Sequence, residues 1–311
     1  MIKFLPHIFA IIFTVEFLMG NLGNGFIILV NSMDLIKRRK ISVADHLLTA
    51  LAISRTGLLW LLFTRWWTYV FYPTFWMNTI KVKVIYIIWI VTCHFSMWLA
   101  TCLSIFYCLK VANFSNCIFL YFKWRVKKVV SLTLLVSLVF LFLQLFQSNR
   151  HMDVLLDESK RNISYSSSLC DFPELSKLLL FSSTLFTFTA FALSLTTFLL
   201  LIFSLWKHLK RMKHSVRGSG DAGTTVHIKA LPSVVVFLLL YTIFFLSIFI
   251  QFWRFEFPSI LHFLFSQIAE ISFPSVHSFV LLLANSKLKQ AYLLMLRWLR
   301  CWSKDVNSSS V

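Results

Sequence analysis

Charge is what this sequence has least of. Asp, Glu, Lys and Arg together make up 14% of its 311 residues, and the acids number only 12. A soluble domain carries about 25% charged residues. With 58% hydrophobic residues and a mean hydropathy of +0.77, the chain is too apolar for a soluble domain. A polytopic membrane protein is the expectation. Glycine is scarce at 7 residues, which excludes a flexible glycine-rich architecture, whereas phenylalanine reaches 34, as lipid-facing helices tolerate. The excess of base over acid gives a net charge of +18. The basic residues fall in short gaps between apolar runs, which is how cytoplasmic loops read, so nucleic acid is not an expected partner.

Catalytic patterns are missing as well. The nine histidines are scattered singly, with no His-Glu-x-x-His and no Cys/His pair at metal spacing. No Gly-x-Ser-x-Gly occurs, and "GSGDAGTT" (218–225) lacks the Lys-Ser/Thr of a phosphate loop. No catalytic residue, metal or cofactor is expected. No internal repeat is apparent, and the intramembrane acids are reduced to Glu16 and Glu270, which disfavours a proton-coupled transporter. Of six cysteines only Cys170 falls in a gap that the topology below puts outside, so no outer intrachain disulfide is expected. The start of the chain lacks a signal-peptide cleavage pattern and reads as a first spanning helix.

What is present is a set of seven apolar runs of about 20 residues. They cover roughly His7–Asn31, Asp45–Thr68, Val84–Cys108, Val129–Gln147, Leu178–Trp206, Leu231–Trp253 and Ser259–Ala284. Lys and Arg divide unequally between the alternating gaps, 20 on one side against 8 on the other. The positive-inside rule then puts the N-terminus outside and the C-terminus in the cytoplasm. The long outer gap, about 148–177, holds the sequon "NIS", which marks Asn162 for glycosylation. After the seventh run, Leu288, Ala291, Met295, Trp298 and Trp302 follow helical spacing opposite lysines and arginines, as in a short amphipathic helix on the inner leaflet. Cys301 there is either a palmitoylation site or a free thiol. The expected fold is an all-α membrane protein: one seven-transmembrane-helix domain over residues 1–311, with 285–311 as a cytoplasmic tail. "GNLGNG" (20–25) lies inside the first run and reads as a place where helices approach closely.

Polar residues at membrane depth usually face the bundle interior. Asn24, Arg55 and Ser278 each lie about eight to ten residues from the cytoplasmic end of their runs, roughly 12–15 Å deep at 1.5 Å per residue. They can meet at one level if the first, second and seventh runs are neighbours. The alternative is that Arg55 snorkels to the inner interface. Arg65, beside two tryptophans, reads as a residue snorkelling to the outer headgroups. Tyr107 and Lys110 sit at the inner boundary of the third run, either as an interfacial anchor or as a contact for a cytoplasmic partner. Toward the outer side, Trp89 and Cys93 share a helix face with His94 beside them, and Trp66, Gln267 and Glu270 lie at similar depth. This set reads either as aromatic belt and ordinary packing or as a partly polar pocket for a small organic ligand.

Several blocks of sequence go further. "GNLGNGFIILVN", "LTALAISR", "HFSMWLATCLSIFYCLKVANFSNCIFLYFKWRVK", "SLWKHLKRM", "HIKALPSVVVFLLLY" and "HSFVLLLANSKLKQ" stand in this order along nearly the whole chain. With them the chain resembles the type 2 (bitter) taste receptors, seven-helix G-protein-coupled receptors. The absence of Asp-Arg-Tyr after the third run and of Asn-Pro-x-x-Tyr in the seventh fits the resemblance. It implies a plasma-membrane receptor that binds bitter small molecules and activates a gustducin-type heterotrimeric G protein, leading to phospholipase C and calcium release. It also implies roles for residues. Asn24, Arg55 and Ser278 match an inner signalling network, to which Tyr241 and His277 are added. Tyr107 and Lys110 match a G-protein-facing motif, with His208 a further candidate. Trp66, Trp89, Cys93, Phe244 and Gln267 match ligand-pocket positions, joined here by His94. A vomeronasal-type chemoreceptor and a small-molecule transporter are the rival readings.

Overall fold

The computed structural model describes residues 5–39, 41–72, 75, 79–112, 114–162, 173–215, 235–249 and 260–308. Among them the long elements are all helices, and no strand occurs. They are α1 (Leu5–Ile36), α2 (Val43–Phe71), α3 (Thr79–Val111), α4 (Cys117–Trp124), α5 (Val126–Asn162), α6 (Pro173–Ser215), α7 (Val235–Phe249), α8 (Ile260–Ala284) and α9 (Ser286–Ser308). Six of these, α1, α2, α3, α5, α6 and α8, are long and apolar enough to cross a membrane. Helix α7 is apolar and shorter, and the ends of the predicted Leu231–Trp253 run lie outside the described residues. The protein is an all-α, multi-pass membrane bundle.

Most of the helices overrun the apolar stretches that announce them. Hydropathy marks where hydrocarbon ends, whereas the backbone ladder continues until a cap or breaker stops it. Thus α5 continues to Asn162, and the first half of the expected outer loop is helical. Helix α2 starts one turn inside its loop at a capping box. Ser42 Oγ accepts from the Asp45 backbone N–H at 3.2 Å, and the Ser42 N–H donates to Asp45 Oδ2 at 3.1 Å. Helix α4 lies in what reads as a basic inner loop. Its signal is Asn116, whose Oδ1 accepts from the Ile118 N–H at 3.0 Å and caps the turn. Lys123 Nζ then reaches back to the Ala112 carbonyl at 3.0 Å, beside the end of α3.

The bundle closes by neighbour packing. Helix α1 lies against α2 and α8, α2 against α3 and α8, α3 against α5 and α6, and α5 against α6. Helix α7 joins through rings: Phe198 to Phe237 at 4.6 Å and Tyr241 to Phe273 at 5.2 Å. The close approach expected of "GNLGNG" is concentrated at Gly20. A Cβ there would stand 2.6 Å from Ser275 Oγ and 2.7 Å from Leu59 Cδ1, so the α1–α2–α8 seam needs a residue without a side chain. Gly25 has open space around it.

At the α9 end, Lys287 Nζ gathers Asn31 Oδ1 (2.9 Å), Asp34 Oδ2 (2.8 Å) and Asp45 Oδ1 (3.4 Å). One lysine just beyond α8 thereby ties α1 and α2 to the start of α9. Asn285 Oδ1 accepts from the Lys287 and Leu288 N–H groups and caps α9, while Leu288 is fully buried and Tyr292 meets Phe26 edge-on at 5.9 Å. Leu294 and Trp298 remain exposed, as an amphipathic surface helix requires. Cys93, Cys102, Cys108, Cys117 and Cys301 are free thiols, and Cys170 lies outside the described residues.

Candidate functional site

Arg55, Asn24 and Ser278 do share one level, and their connections differ from a simple ring of oxygens. Arg55 is fully buried, so it does not snorkel. Its guanidinium donates from one Nη to His277 Nδ1 and from the other to Ser278 Oγ, at 3.5 Å. Its Cζ lies 4.9 Å from the centroid of the Phe273 ring, a cation–π contact. Asn24 touches the arginine only through Ser278, whose hydroxyl donates to Asn24 Oδ1 and to the Pro274 carbonyl, each at 2.7 Å. Asn24 Nδ2 donates in turn to the Gly20 carbonyl at 2.8 Å and to Pro274 O at 3.3 Å. The backbone carbonyls of Gly20 and Pro274 thus serve as acceptors in an interhelical network.

The network's neighbours are neutral. No carboxylate among the described residues forms an ion pair with Arg55. Because Nδ1 of His277 accepts, the ring proton belongs on Nε2. The imidazole packs on Phe237 at 4.3 Å and on Phe273 at 5.6 Å, and Tyr241 stacks on Phe273 and meets Phe191 edge-on at 5.4 Å. A column of rings therefore connects the arginine of α2 to α6, α7 and α8. Beside it, hydroxyls join α3 to α6: Ser194 Oγ donates to Thr101 Oγ1, and Ser104 Oγ meets Thr197 Oγ1, both at 2.8 Å.

Toward the end of the bundle that carries the chain's start, a cavity of about 20 Å³ opens between α3 (Trp89, Cys93, His94, Trp98), α5 (Gln144), α6 (Ala190) and α7 (Ile248). That is room for about one water molecule. His94 hydrogen-bonds the Ser137 backbone, and its Nε2 has no partner. Behind the cavity wall, Glu270 Oε1 accepts from Trp89 Nε1 at 2.8 Å, and Oε2 pairs with Arg65 Nη2 at 2.6 Å. Arg65 therefore does not snorkel to the headgroups. It is drawn inward, because a buried carboxylate gains more from a cation than from any neutral donor.

The other pocket candidates do not line this cavity. Trp66 is stacked on Phe13 at 5.3 Å and faces α1. Phe244 packs on Phe273 at 5.0 Å, in the ring column. Gln267 is buried with its Oε1 unpartnered. Lys110 is exposed at the end of α3, with Tyr107 half-buried one turn before it. His208 falls in α6 and Asn162 is the last residue of α5, and both side chains lie outside the described residues.

Residues 1–300 match the profile of the taste receptor protein (TAS2R) family. The chain belongs to this family. It is 50% identical over 301 residues to taste receptor type 2 member 14 of Homo sapiens, a match covering 97% of this chain and 95% of that relative. It is 51% identical over 288 residues to taste receptor type 2 member 140 of Rattus norvegicus, covering 92% of each. Member 125 of Rattus norvegicus shows 51% identity over 299 residues, covering 96% of each. The protein is accordingly a G-protein-coupled taste receptor, a signalling protein and not an enzyme. The vomeronasal and transporter readings give way to this one. Sequence reasoning missed three groups in this taste receptor: the Arg65–Glu270 pair, the ring partners Phe237 and Phe273, and the Lys287 clamp. For the first a signal existed, since a cation and an acid at similar depth in two apolar runs invite pairing.

Proposed function

We propose that this taste receptor is a seven-helix bundle with α7 as part of its sixth span, its N-terminus outside and α9 on the inner leaflet. The 20 to 8 division of basic residues and the amphipathic pattern of α9 support that orientation. Bitter small molecules bind from the outer side against Trp89, Cys93 and His94. A gustducin-type G protein engages the inner ends, where Tyr107, Lys110 and His208 stand, and drives phospholipase C and calcium release. Asn162 carries the outer glycan.

The observation that carries the ligand site is the cavity itself, walled by Trp89, Cys93, His94 and Trp98 of one face of α3 and closed by α5, α6 and α7. Its volume defines the mechanism. Sites for drug-sized ligands measure about 300–1,000 Å³, so an agonist fits only when these helices part. A ligand that binds the opened arrangement better shifts the population toward it. The movement reaches the inner side through the column from Ile248 and Phe244 to Phe273, His277 and Arg55.

Calcium imaging of cells expressing the full chain with a gustducin-type chimeric G protein, against a panel of bitter compounds, tests this reading. At least one agonist should evoke a response, and Trp89→Ala should lower its potency about tenfold at equal surface level. Silence to the whole panel despite surface expression, or unchanged curves for Trp89→Ala across several agonists, would refute it.

A further inference from the structure

Glu270 is fully buried and already has two takers. One oxygen receives the indole N–H of Trp89 and the other the guanidinium of Arg65. Trp89 is also a wall of the cavity. A carboxylate thus stands directly behind the surface against which a ligand would rest. Left alone, a buried carboxylate attracts a cation and invites a protonated amine. Here the cation comes from the receptor's own α2.

We infer that Arg65 is a specificity-determining residue: by engaging Glu270 from behind Trp89 it sets the cavity for uncharged ligands and against protonated amines. The inference rests on the reading of the Trp89 cavity as the ligand site. An amine seeking Glu270 must displace a guanidinium held at 2.6 Å whose side chain is only 16% exposed. From the cavity side the way to Glu270 also leads past the Trp89 indole, whose N–H donates to Oε1 at 2.8 Å. An amine that stays in front of the indole meets a triad whose charges cancel and gains no counter-ion. Discrimination by a repulsive or pre-empted charge is a common route to specificity.

The test uses calcium responses of the full-length receptor to two sets of rigid probes of similar size, coumarin-type lactones and quinoline-type tertiary amines. Wild type should respond to lactones at least tenfold more potently than to amines. Arg65→Gln should gain at least tenfold toward amines and shift less than threefold for lactones. The gain should vanish in the Arg65→Gln/Glu270→Gln double variant, where no carboxylate remains. Arg65→Lys keeps the pair and should stay poor for amines. Equal potency of both sets on wild type overturns the inference without need of any variant. So does an amine gain that survives in the double variant. Trp89→Ala separates the failures. If it changes no potency, the ligand site lies elsewhere and both readings fall. If it lowers potency while a surface-expressed Arg65→Gln shows no amine gain, only the role of Arg65 falls.

Discussion

Two arginines stand on the same helix, ten residues apart, and they are buried by opposite means. Arg65 meets a full counter-charge: one carboxylate oxygen at 2.6 Å. Arg55 meets none. Its partners are an imidazole nitrogen, a serine hydroxyl and the face of a phenylalanine. The first arrangement is a local ion pair between α2 and α8, tolerant of where exactly the cation sits. The second depends on planar geometry, since a fork must reach two neutral acceptors while its face lies on a ring. The difference teaches that a charge in an apolar run says little until its partners are known. One arginine conceals an acid beside the candidate ligand site, and the other holds the helix seam at which the rings of α7 and α8 converge.

The largest expected effect comes from removing the geometry altogether. Arg55→Ala should cost about 2–5 kcal/mol, as large-to-small changes at buried sites do, and leave His277 and Ser278 without their donor. Surface delivery and calcium response should both collapse, and wild-type levels of both would show that the seam does not depend on Arg55. Next is the packing of that seam. Gly20→Ala forces a methyl against Ser275 and Leu59, at about 1–3 kcal/mol for overpacking. A thermal shift of the purified receptor should show it as a lowered melting temperature, whereas Gly25→Ala, with open space around it, should leave the melting temperature unchanged or slightly raised.

Why these contrasts escape the sequence is a matter of helix rotation. Depth along a helix is legible, since 1.5 Å per residue is fixed, and it brings Asn24, Arg55 and Ser278 to one level. Direction around the axis is not legible when a helix is apolar on all sides, as α2 and α3 are. Trp66 therefore reads as a pocket residue although it faces Phe13, and Arg65 reads as a headgroup anchor although it faces Glu270. His277 and Phe273 come from more than 200 residues away, and no local pattern ties them to Arg55. The apolar runs show that the bundle exists; the caps at Ser42, Asn116 and Asn285 show where α2, α4 and α9 begin, and these were there to be read.

Smaller effects sharpen the comparison at the other end of the bundle. Lys287 is about one-third exposed, and its bonds to Asp34 and Asp45 are screened accordingly. Lys287→Met should therefore destabilise by about 1 kcal/mol or less. It should still raise basal signalling if the clamp holds these ends of α1, α2 and α9 together, read as agonist-independent calcium-reporter activity at matched surface level. No change in basal activity would reduce the clamp to a structural tie.

The comparison is tested most directly by one conservative change made twice. Lysine keeps the positive charge and loses the planar fork. Calcium concentration–response curves for Arg55→Lys and Arg65→Lys, at matched surface expression and with the same uncharged agonist, separate the two modes of burial. Arg55→Lys should lose at least tenfold in potency or its maximum should collapse, and Arg65→Lys should shift by less than about threefold, as a point charge suffices for a carboxylate. Equal tolerance at both positions, or a greater loss at Arg65, would contradict this contrast.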